Sequence, residues 1–159
     1  MKKGGVAVVS TLLGAVAGAV GSGYLAGKKV NQKTAKVDKF KSYYNMLNQW
    51  LSLKQEGKSL EKYFVDNGYK IIAIYGMGEM GNRLYDELKD SKEVTIKYAV
   101  DQNAASAFSE LEVRDTEDEL EEVDAIIVTA IFAFDEIEKQ LSESASFPII
   151  SLEDVVYEI

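Results

Sequence analysis

The feature that most constrains the fold is a short apolar run that leads directly into a glycine-rich turn. Residues 71–75 read Ile-Ile-Ala-Ile-Tyr, and Gly76, Gly78 and Gly81 follow with the spacing Gly-x-Gly-x-x-Gly. Residues 82–89 then carry apolar side chains at helical spacing. A buried strand, a tight glycine turn and the start of a helix, in this order, are typical of dinucleotide-binding folds.

Each glycine of this turn has a mechanical reason in such a fold. Gly76 allows a sharp turn off the strand, Gly78 lets a pyrophosphate approach the backbone, and Gly81 lets the helix pack closely on the sheet. The free amides and the positive end of the helix dipole then face an anion. We therefore predict cofactor contacts from the whole turn, which comprises Gly76, Met77, Gly78, Glu79, Met80 and Gly81.

Two further binding residues are predicted at the ends of later strands. Asp101 follows the last glycine of the turn by 20 residues, where a carboxylate accepts hydrogen bonds from a ribose 2′-hydroxyl and repels a 2′-phosphate, which favours NAD over NADP. The alternative for Asp101 is a solvated acid at a strand end. Thr129 binds either the ligand or its own turn. Arg83 reaches a phosphate or pairs with Glu79 or Glu87, and the pairing is favoured.

From residue 69 onward, predicted strands alternate with predicted helices. Strands are predicted at 70–75, 95–100, 112–114, 125–131 and 148–152, and helices at 80–89, 116–122, 134–142 and 153–159. Continuous apolar strands imply a parallel sheet covered on both faces, and right-handed crossovers give the order 3-2-1-4-5. The predicted fold of residues 69–159 is a small Rossmann-like α/β sheet with flanking helices, one mononucleotide-binding half.

An aromatic helical segment, residues 42–68, precedes the sheet. A helix is predicted over 42–56, and Gly57 separates it from a second helix at 60–65, which Ser59 caps. The first helix carries one apolar side, formed by Tyr43, Tyr44, Leu47, Trp50 and Leu51. Core packing is the favoured interpretation of this side, and contact with a nucleobase or a partner protein is the alternative.

The first 27 residues are predicted to anchor the chain in a membrane. Residues 4–27 contain no charged side chain, and a helix over about 6–26 is long enough to cross the hydrocarbon core. The basic linker, residues 28–41, predicts that the C-terminal body is cytoplasmic, and its lysines either contact anionic lipid headgroups or only set the orientation of the anchor. A signal peptide cleaved near Ala17 is the alternative. Small residues at Gly14, Gly18 and Ser22 permit close contact between helices and hence a homo-oligomer, and a merely weakly apolar helix is the alternative.

Composition excludes several classes of function. The chain has neither histidine nor cysteine, so it lacks the commonest general base, thiol nucleophiles and the usual transition-metal ligands. Its net charge of -8 is uneven, because residues 1–41 carry eight lysines and one acid, whereas the remainder carries 10 basic and 25 acidic side chains. Such an acidic body repels phosphates, so no nucleic-acid partner is expected, and no metal site is predicted.

Three stretches resemble a known group of proteins. The first runs from Tyr44 through Trp50, Gly57 and Tyr63 to the turn at Gly78, and the others are Val-Asp-Ala-Ile-Ile-Val-Thr-Ala at 123–130 and Pro-Ile-Ile-Ser-Leu-Glu-Asp at 148–154. Over residues 43–159 the chain resembles Rossmann-like proteins of Gram-positive capsule and exopolysaccharide clusters. It is similar to the nucleotide-binding domains of sugar-modifying and acyltransferase enzymes, without their catalytic domain. The resemblance implies a membrane-proximal role in surface glycan synthesis.

The leading hypothesis is a single-pass membrane protein whose cytoplasmic module binds NAD or a related nucleotide, such as a nucleotide-sugar, and acts with glycan-assembly enzymes. The rival is a non-catalytic oligomeric scaffold that keeps the Rossmann shape without a ligand. A third hypothesis, a self-sufficient oxidoreductase or epimerase, lacks a second domain for substrate and a well-placed base. Whether the chain is an enzyme stays open, and no catalytic residue is predicted.

Overall fold

The computed structural model describes residues 36–106 and 110–159. The predicted anchor, 1–27, and most of the predicted basic linker lie outside these ranges. The chain divides into two compact units, Met1–Ser42 and Tyr43–Ile159. In the first unit, residues 36–42 are helical and expose Val37 and Phe40. Within the described ranges, no helix combines the length and the apolar character needed to cross a bilayer.

The second unit is built on a five-stranded parallel sheet. Its strands are β1 (Ile71–Tyr75), β2 (Thr95–Val100), β3 (Val113–Arg114), β4 (Ala125–Val128) and β5 (Ile149–Ser151). They lie in the order β3-β2-β1-β4-β5, and every neighbouring pair is parallel. β1 is central, with Ile74 opposite Ala99 on one side and Ile127 on the other. The predicted α/β class and strand order are confirmed.

Five helices accompany the strands in the described residues. They are α1 (36–55, of which 43–55 belong to the second unit), α2 (Glu61–Asn67), α3 (Glu79–Leu88), α4 (Phe134–Leu141) and α5 (Leu152–Tyr157). Gly57 and Gly68 follow α1 and α2 with φ of 74° and 76°. Glycine adopts this left-handed conformation without a steric penalty, so both helices end where the sequence places a glycine.

Alternation along the strands produces one hydrophobic core on each face of the sheet. The helices α1, α2, α3 and α5 pack on the first face, against Ile72, Ile74, Ala99, Ala125 and Ile127. The helix α4 packs on the second face, against Ala73, Tyr75, Tyr98, Val100, Ile126 and Val128. Because both faces are covered, the central strands are apolar throughout, as parallel sheets require.

The predicted apolar side of α1 is partly wrong. Tyr44 and Leu51 are 69% and 56% exposed, whereas Met46 and Leu53 are buried beside Trp50. The buried side is therefore rotated from the predicted one. The prediction is based on the positions of the aromatic side chains. The buried residues are instead those at positions 46, 50 and 53, which share the side of the helix that faces the sheet.

The predicted acidic helix at 116–122 does not form. Asp118 Oδ2 instead accepts from the amide of Asp115 at 2.8 Å, and Asp115 Oδ1 accepts from the amide of Glu117 at 3.2 Å. Such bonds offer the backbone a turn in place of a helix.

Glu121, in the same segment, pairs with Lys97 and Arg114. The hydrogen bonds from these two side chains lower the pKa of Glu121 to about 2.

The remaining boundaries shift by a few residues. The strand predicted at 125–131 ends at Val128, because the chain turns into a 3-10 helix, Ile131–Ala133. The final helix begins at Leu152, where the preceding Ser151 accepts from the amide of Glu153 at 3.2 Å as its N-cap. Predicted helix α2 begins one residue later than expected, although Ser59 Oγ still accepts from the amide of Glu61.

Candidate functional site

The glycine turn after β1 forms a tight bend that depends on two of its three glycines for its shape. Gly76 has φ of 97°, and a Cβ there would lie 2.7 Å from Thr129 Oγ1. A Cβ on Gly81 would lie 2.1 Å from the carbonyl oxygen of Gly76. Both glycines are therefore structural requirements of the bend, as their spacing predicts.

Gly78 differs from the other two glycines because the space over it is open. A Cβ built there meets no atom within 4 Å, and the residue is exposed. Gly78 is also the N-cap of α3, where no side chain supplies a capping hydrogen bond. A helix N-terminus of this kind presents backbone amides and positive dipole charge to solvent.

Thr129 braces the bend from the end of β4. Its hydroxyl lies 2.7 Å from the carbonyl oxygen of Gly76 and 3.2 Å from that of Tyr75, so its single proton is shared between them. The side chain is buried, with 4% of its surface exposed. Of the two roles predicted for Thr129, the bond to its own turn is the one present, and the hydroxyl has no second proton for a ligand.

Asp101 braces the same bend from the end of β2. Its Oδ2 accepts from the amide of Met77 at 2.7 Å, and its Oδ1 accepts from the amide of Asn103 at 2.8 Å. The carboxylate is half-buried. One amide of the predicted phosphate site is thus already occupied, while each carboxylate oxygen keeps a lone pair for a further donor.

The other residues of the predicted site divide between core and surface. Met77 and Met80 are buried in the first core, where the Met77 sulfur lies close to Gly81, whereas Glu79 is exposed. Arg83 is exposed as well and forms no ion pair with a described residue, so the favoured pairing with Glu79 or Glu87 is wrong.

Glu87 has a different role, as a buried joint between three helices. It accepts from Trp50 Nε1 at 2.6 Å and from the amide of Leu60 at 2.8 Å, and it pairs with Lys54 at 2.9 Å. Burial raises the pKa of this carboxyl, but the bonds from Lys54, Leu60 and Trp50 outweigh burial and hold the pKa below its usual value. Sequence reasoning missed this network, since its partners lie far apart in the chain.

A groove of about 340 Å³ opens beside the bend, on the α4 side of the sheet. Tyr75 and Gly76 form part of its lining, together with Asp101, Gln102 and Asn103 from the loop after β2. Burial raises the pKa of the Tyr75 phenol, and the charge of Asp101 raises it further, so this phenol stays protonated at neutral pH. The turn after β1 and the loops after β2 and β4 therefore meet here, at the carboxyl edge of the sheet.

The opposite wall of the groove contains residues that the sequence did not indicate. They are Glu136 and Gln140 on α4, and Phe132 of the 3-10 turn lines the same wall. Glu136 and Gln140 are four residues apart and therefore share one side of the helix. Polar residues at this spacing, shortly after a strand whose carboxyl end lies at the candidate site, could have indicated this wall.

Among the described residues, no group of three or more acidic side chains is placed to hold a metal ion. The arrangement combines an open helix N-terminus, a bend braced by Asp101 and Thr129, and a small polar groove beside it. No family model, curated protein or solved structure matches this chain.

Proposed function

We propose that the chain is a membrane-anchored cytoplasmic module that binds NAD or a related nucleotide, such as a nucleotide-sugar, as an accessory to surface polysaccharide synthesis. The observation that carries the nucleotide part is the open space over Gly78 at the uncapped start of α3. A phosphate there replaces water on the exposed amides and meets the positive end of the helix dipole. The proposal concerns binding and assigns no reaction.

The charge around the bend supports NAD over NADP. Asp101 keeps its carboxylate beside the bend, where a second ribose phosphate would meet a like charge. The membrane location is supported by the uncharged run at 4–27 and the lysines that follow it. The glycan role is supported by the resemblance of residues 43–159 to proteins of capsule and exopolysaccharide clusters.

Calorimetric titration of the full-length chain in mild detergent tests the nucleotide part. We expect heat and a rise in melting temperature with NAD or UDP-glucose, and about tenfold weaker binding for NADP than for NAD. Gly78→Ala places a methyl group in the open space and is expected to weaken binding about tenfold. Val65→Ala, an exposed position on α2, serves as the control. If no nucleotide produces heat or a rise in melting temperature, nucleotide binding is contradicted.

The glycan role needs a separate experiment in the native cell. Deleting the chain is expected to reduce the amount or the length of the surface polysaccharide, and the intact chain is expected to restore it. A chain with Gly78→Ala is expected to restore it less well if nucleotide binding is part of the role. Unchanged polysaccharide after deletion would contradict the accessory role while leaving the binding claim intact.

A second candidate function is the oligomeric scaffold without ligand, and the exposed side of α1 favours it. Tyr44 and Leu51 are largely exposed, and the half-buried Leu47 lies between them at three- and four-residue spacing. Apolar residues at this spacing suit contact with another helix. Sedimentation of the full chain in detergent tests it: the scaffold requires a stable oligomer that Leu51→Glu dissociates. A monomer, with or without bound nucleotide, would exclude the scaffold.

A further inference from the structure

The groove beside the glycine bend has the size of a subsite for one ring. Its volume is about 340 Å³, at the lower end of the range of about 300–1,000 Å³ that ligand pockets occupy. A whole dinucleotide does not fit in such a space. Gly76 and Asp101 belong to both the groove and the bend, so a group attached to a phosphate at the bend lies within reach of the groove.

The groove is polar, and none of the described residues that line it is cationic. Besides the phenol of Tyr75, its polar side chains within the described residues are carboxylates and carboxamides, contributed by Asp101, Gln102, Asn103, Glu136 and Gln140. Carboxylates accept hydrogen bonds, and carboxamides both donate and accept them. Hydroxyl groups match this combination, because each hydroxyl can donate to a carboxylate and accept from an amide. A phosphate or carboxylate in the same place would meet two negative charges without a compensating one.

The aromatic side chain at the rim suits the same class of group. Phe132 lines the groove and keeps 54% of its surface exposed. An aromatic ring offers a flat apolar face with a negative quadrupole, against which the C–H bonds of a sugar ring pack favourably. A hexose presents hydroxyl groups and an apolar C–H face. The polar groups on the two walls of the groove match the hydroxyls, and the ring of Phe132 at the rim matches the C–H face.

We propose that this groove binds the uncharged hexose of a nucleoside diphosphate sugar whose phosphates lie at Gly78, and that Glu136 and Gln140 contact the sugar hydroxyls. This inference rests on the proposed nucleotide binding and adds the class of ligand. It also gives α4 a role in specificity: Glu136 selects for a neutral sugar and against an acidic one.

Two ligands that differ only at C6 of the sugar provide the test. UDP-glucose carries a hydroxymethyl group there and UDP-glucuronate a carboxylate, and both are titrated into the full-length chain beside UDP and NAD. We expect UDP-glucose to bind at least about tenfold more tightly than UDP-glucuronate, and more tightly than UDP. Glu136→Gln is expected to reduce the preference for the neutral sugar to about threefold or less, because it removes one of the two charges.

The same substitution two residues away provides the matched control. Glu138 is exposed on α4 and does not line the groove, so Glu138→Gln is expected to keep the full preference. Gln140→Ala is expected to weaken UDP-glucose without changing UDP. Thermal unfolding of each variant checks that α4 remains folded. The melting temperature is expected to change little, because exposed side chains on a helix contribute little to stability.

The outcomes separate this inference from the nucleotide proposal beneath it. Equal binding of the two sugar nucleotides, or an unchanged preference in Glu136→Gln, overturns the hexose assignment while nucleotide binding survives. If NAD binds and UDP-glucose does not, the hexose assignment is likewise overturned while nucleotide binding survives. If none of the four ligands binds, both the hexose assignment and the proposed nucleotide binding are contradicted.

Discussion

At the scale of single residues, the three glycines of the bend have different functions despite their common motif. Gly76 and Gly81 are needed for the backbone path, because a side chain on either meets an atom of the bend itself or of Thr129. A Cβ on Gly78 would meet no atom within 4 Å, so no contact within the protein requires a glycine at this position. The shape of the bend and the proposed ligand binding are therefore separable by substitution within the six residues 76–81.

We predict that Gly81→Ala destabilises the fold. Its methyl group would lie 2.1 Å from the carbonyl oxygen of Gly76, and backbone cannot withdraw as a flexible side chain does. The expected loss in free energy of unfolding is about 2–3 kcal/mol, measured by urea denaturation. Gly78→Ala, with free space around it, is expected to lose less than about 1 kcal/mol. Equal losses in the two variants would show that the bend is looser than described.

A second prediction concerns the hydroxyl of Thr129. Thr129→Val keeps the shape of this buried side chain but removes the donor to the carbonyl oxygens of Gly76 and Tyr75. We expect a loss of about 1–2 kcal/mol in free energy of unfolding and weaker nucleotide binding, because the bend is less well held. Thr129→Ser retains the donor and is expected to bind nucleotide nearly as well as Thr129. If serine and valine weakened binding equally, the hydroxyl would have no role in holding the bend.

At the scale of helices and strands, the sequence predicts the sheet well because its determinants are local. The apolar runs at 71–75 and 125–128 specify buried parallel strands without any knowledge of their neighbours. Glycines likewise mark the ends of α1 and α2. The predicted helix at 116–122 is wrong for a local reason, namely the competing bonds of Asp115 and Asp118.

Contacts between distant segments are the part that the sequence does not predict. The partners of Glu87 lie 27 to 37 residues away, and nothing in their spacing connects them. For the candidate site, the sequence indicates the bend, Asp101 and Thr129, but not the α4 wall with Glu136 and Gln140. Which side of a helix faces a groove depends on how α4 packs over β4 and β5, which only the folded chain determines.

We predict that Glu87 holds α1, α2 and α3 together through a charge that acid removes. Its pKa is lowered in the folded chain, so its stabilisation is complete above the unfolded pKa of about 4.3 and is lost as pH falls through the folded value. At pH 7, Glu87→Gln is expected to cost about 2 kcal/mol.

Urea denaturation of Glu87 and Glu87→Gln chains at pH 7 and at about pH 3.5 checks this prediction. The difference in free energy of unfolding between them is expected to narrow in acid, since only the carboxylate gains from the bonds of Lys54, Leu60 and Trp50. Glu56→Gln, which alters an exposed ion pair with Lys58, is the control and is expected to change little at either pH. A constant difference would mean that the charge of Glu87 is not what joins the helices.

At the scale of the whole molecule, two electrostatic effects oppose each other at the bend. Beyond residue 41 the chain carries 25 acidic and 10 basic side chains, a net charge of -15. This charge repels an approaching nucleotide over distances comparable to the Debye length, whereas the amides at the start of α3 attract it only at contact. Salt weakens the first effect more than the second, because short-range contacts are screened less.

We therefore predict that nucleotide association becomes faster as salt is added. Between about 20 and 150 mM NaCl the Debye length falls from roughly 20 to 8 Å, and the association rate constant of UDP-glucose is expected to rise several-fold. Surface plasmon resonance on the immobilised full-length chain would report it, with uridine as an uncharged control whose rate is expected to stay constant. The double variant Glu119→Gln, Glu122→Gln, at exposed positions outside the groove, is expected to reduce the salt dependence. A rate that falls with salt would indicate that lysines near the ligand, rather than the bend, attract it.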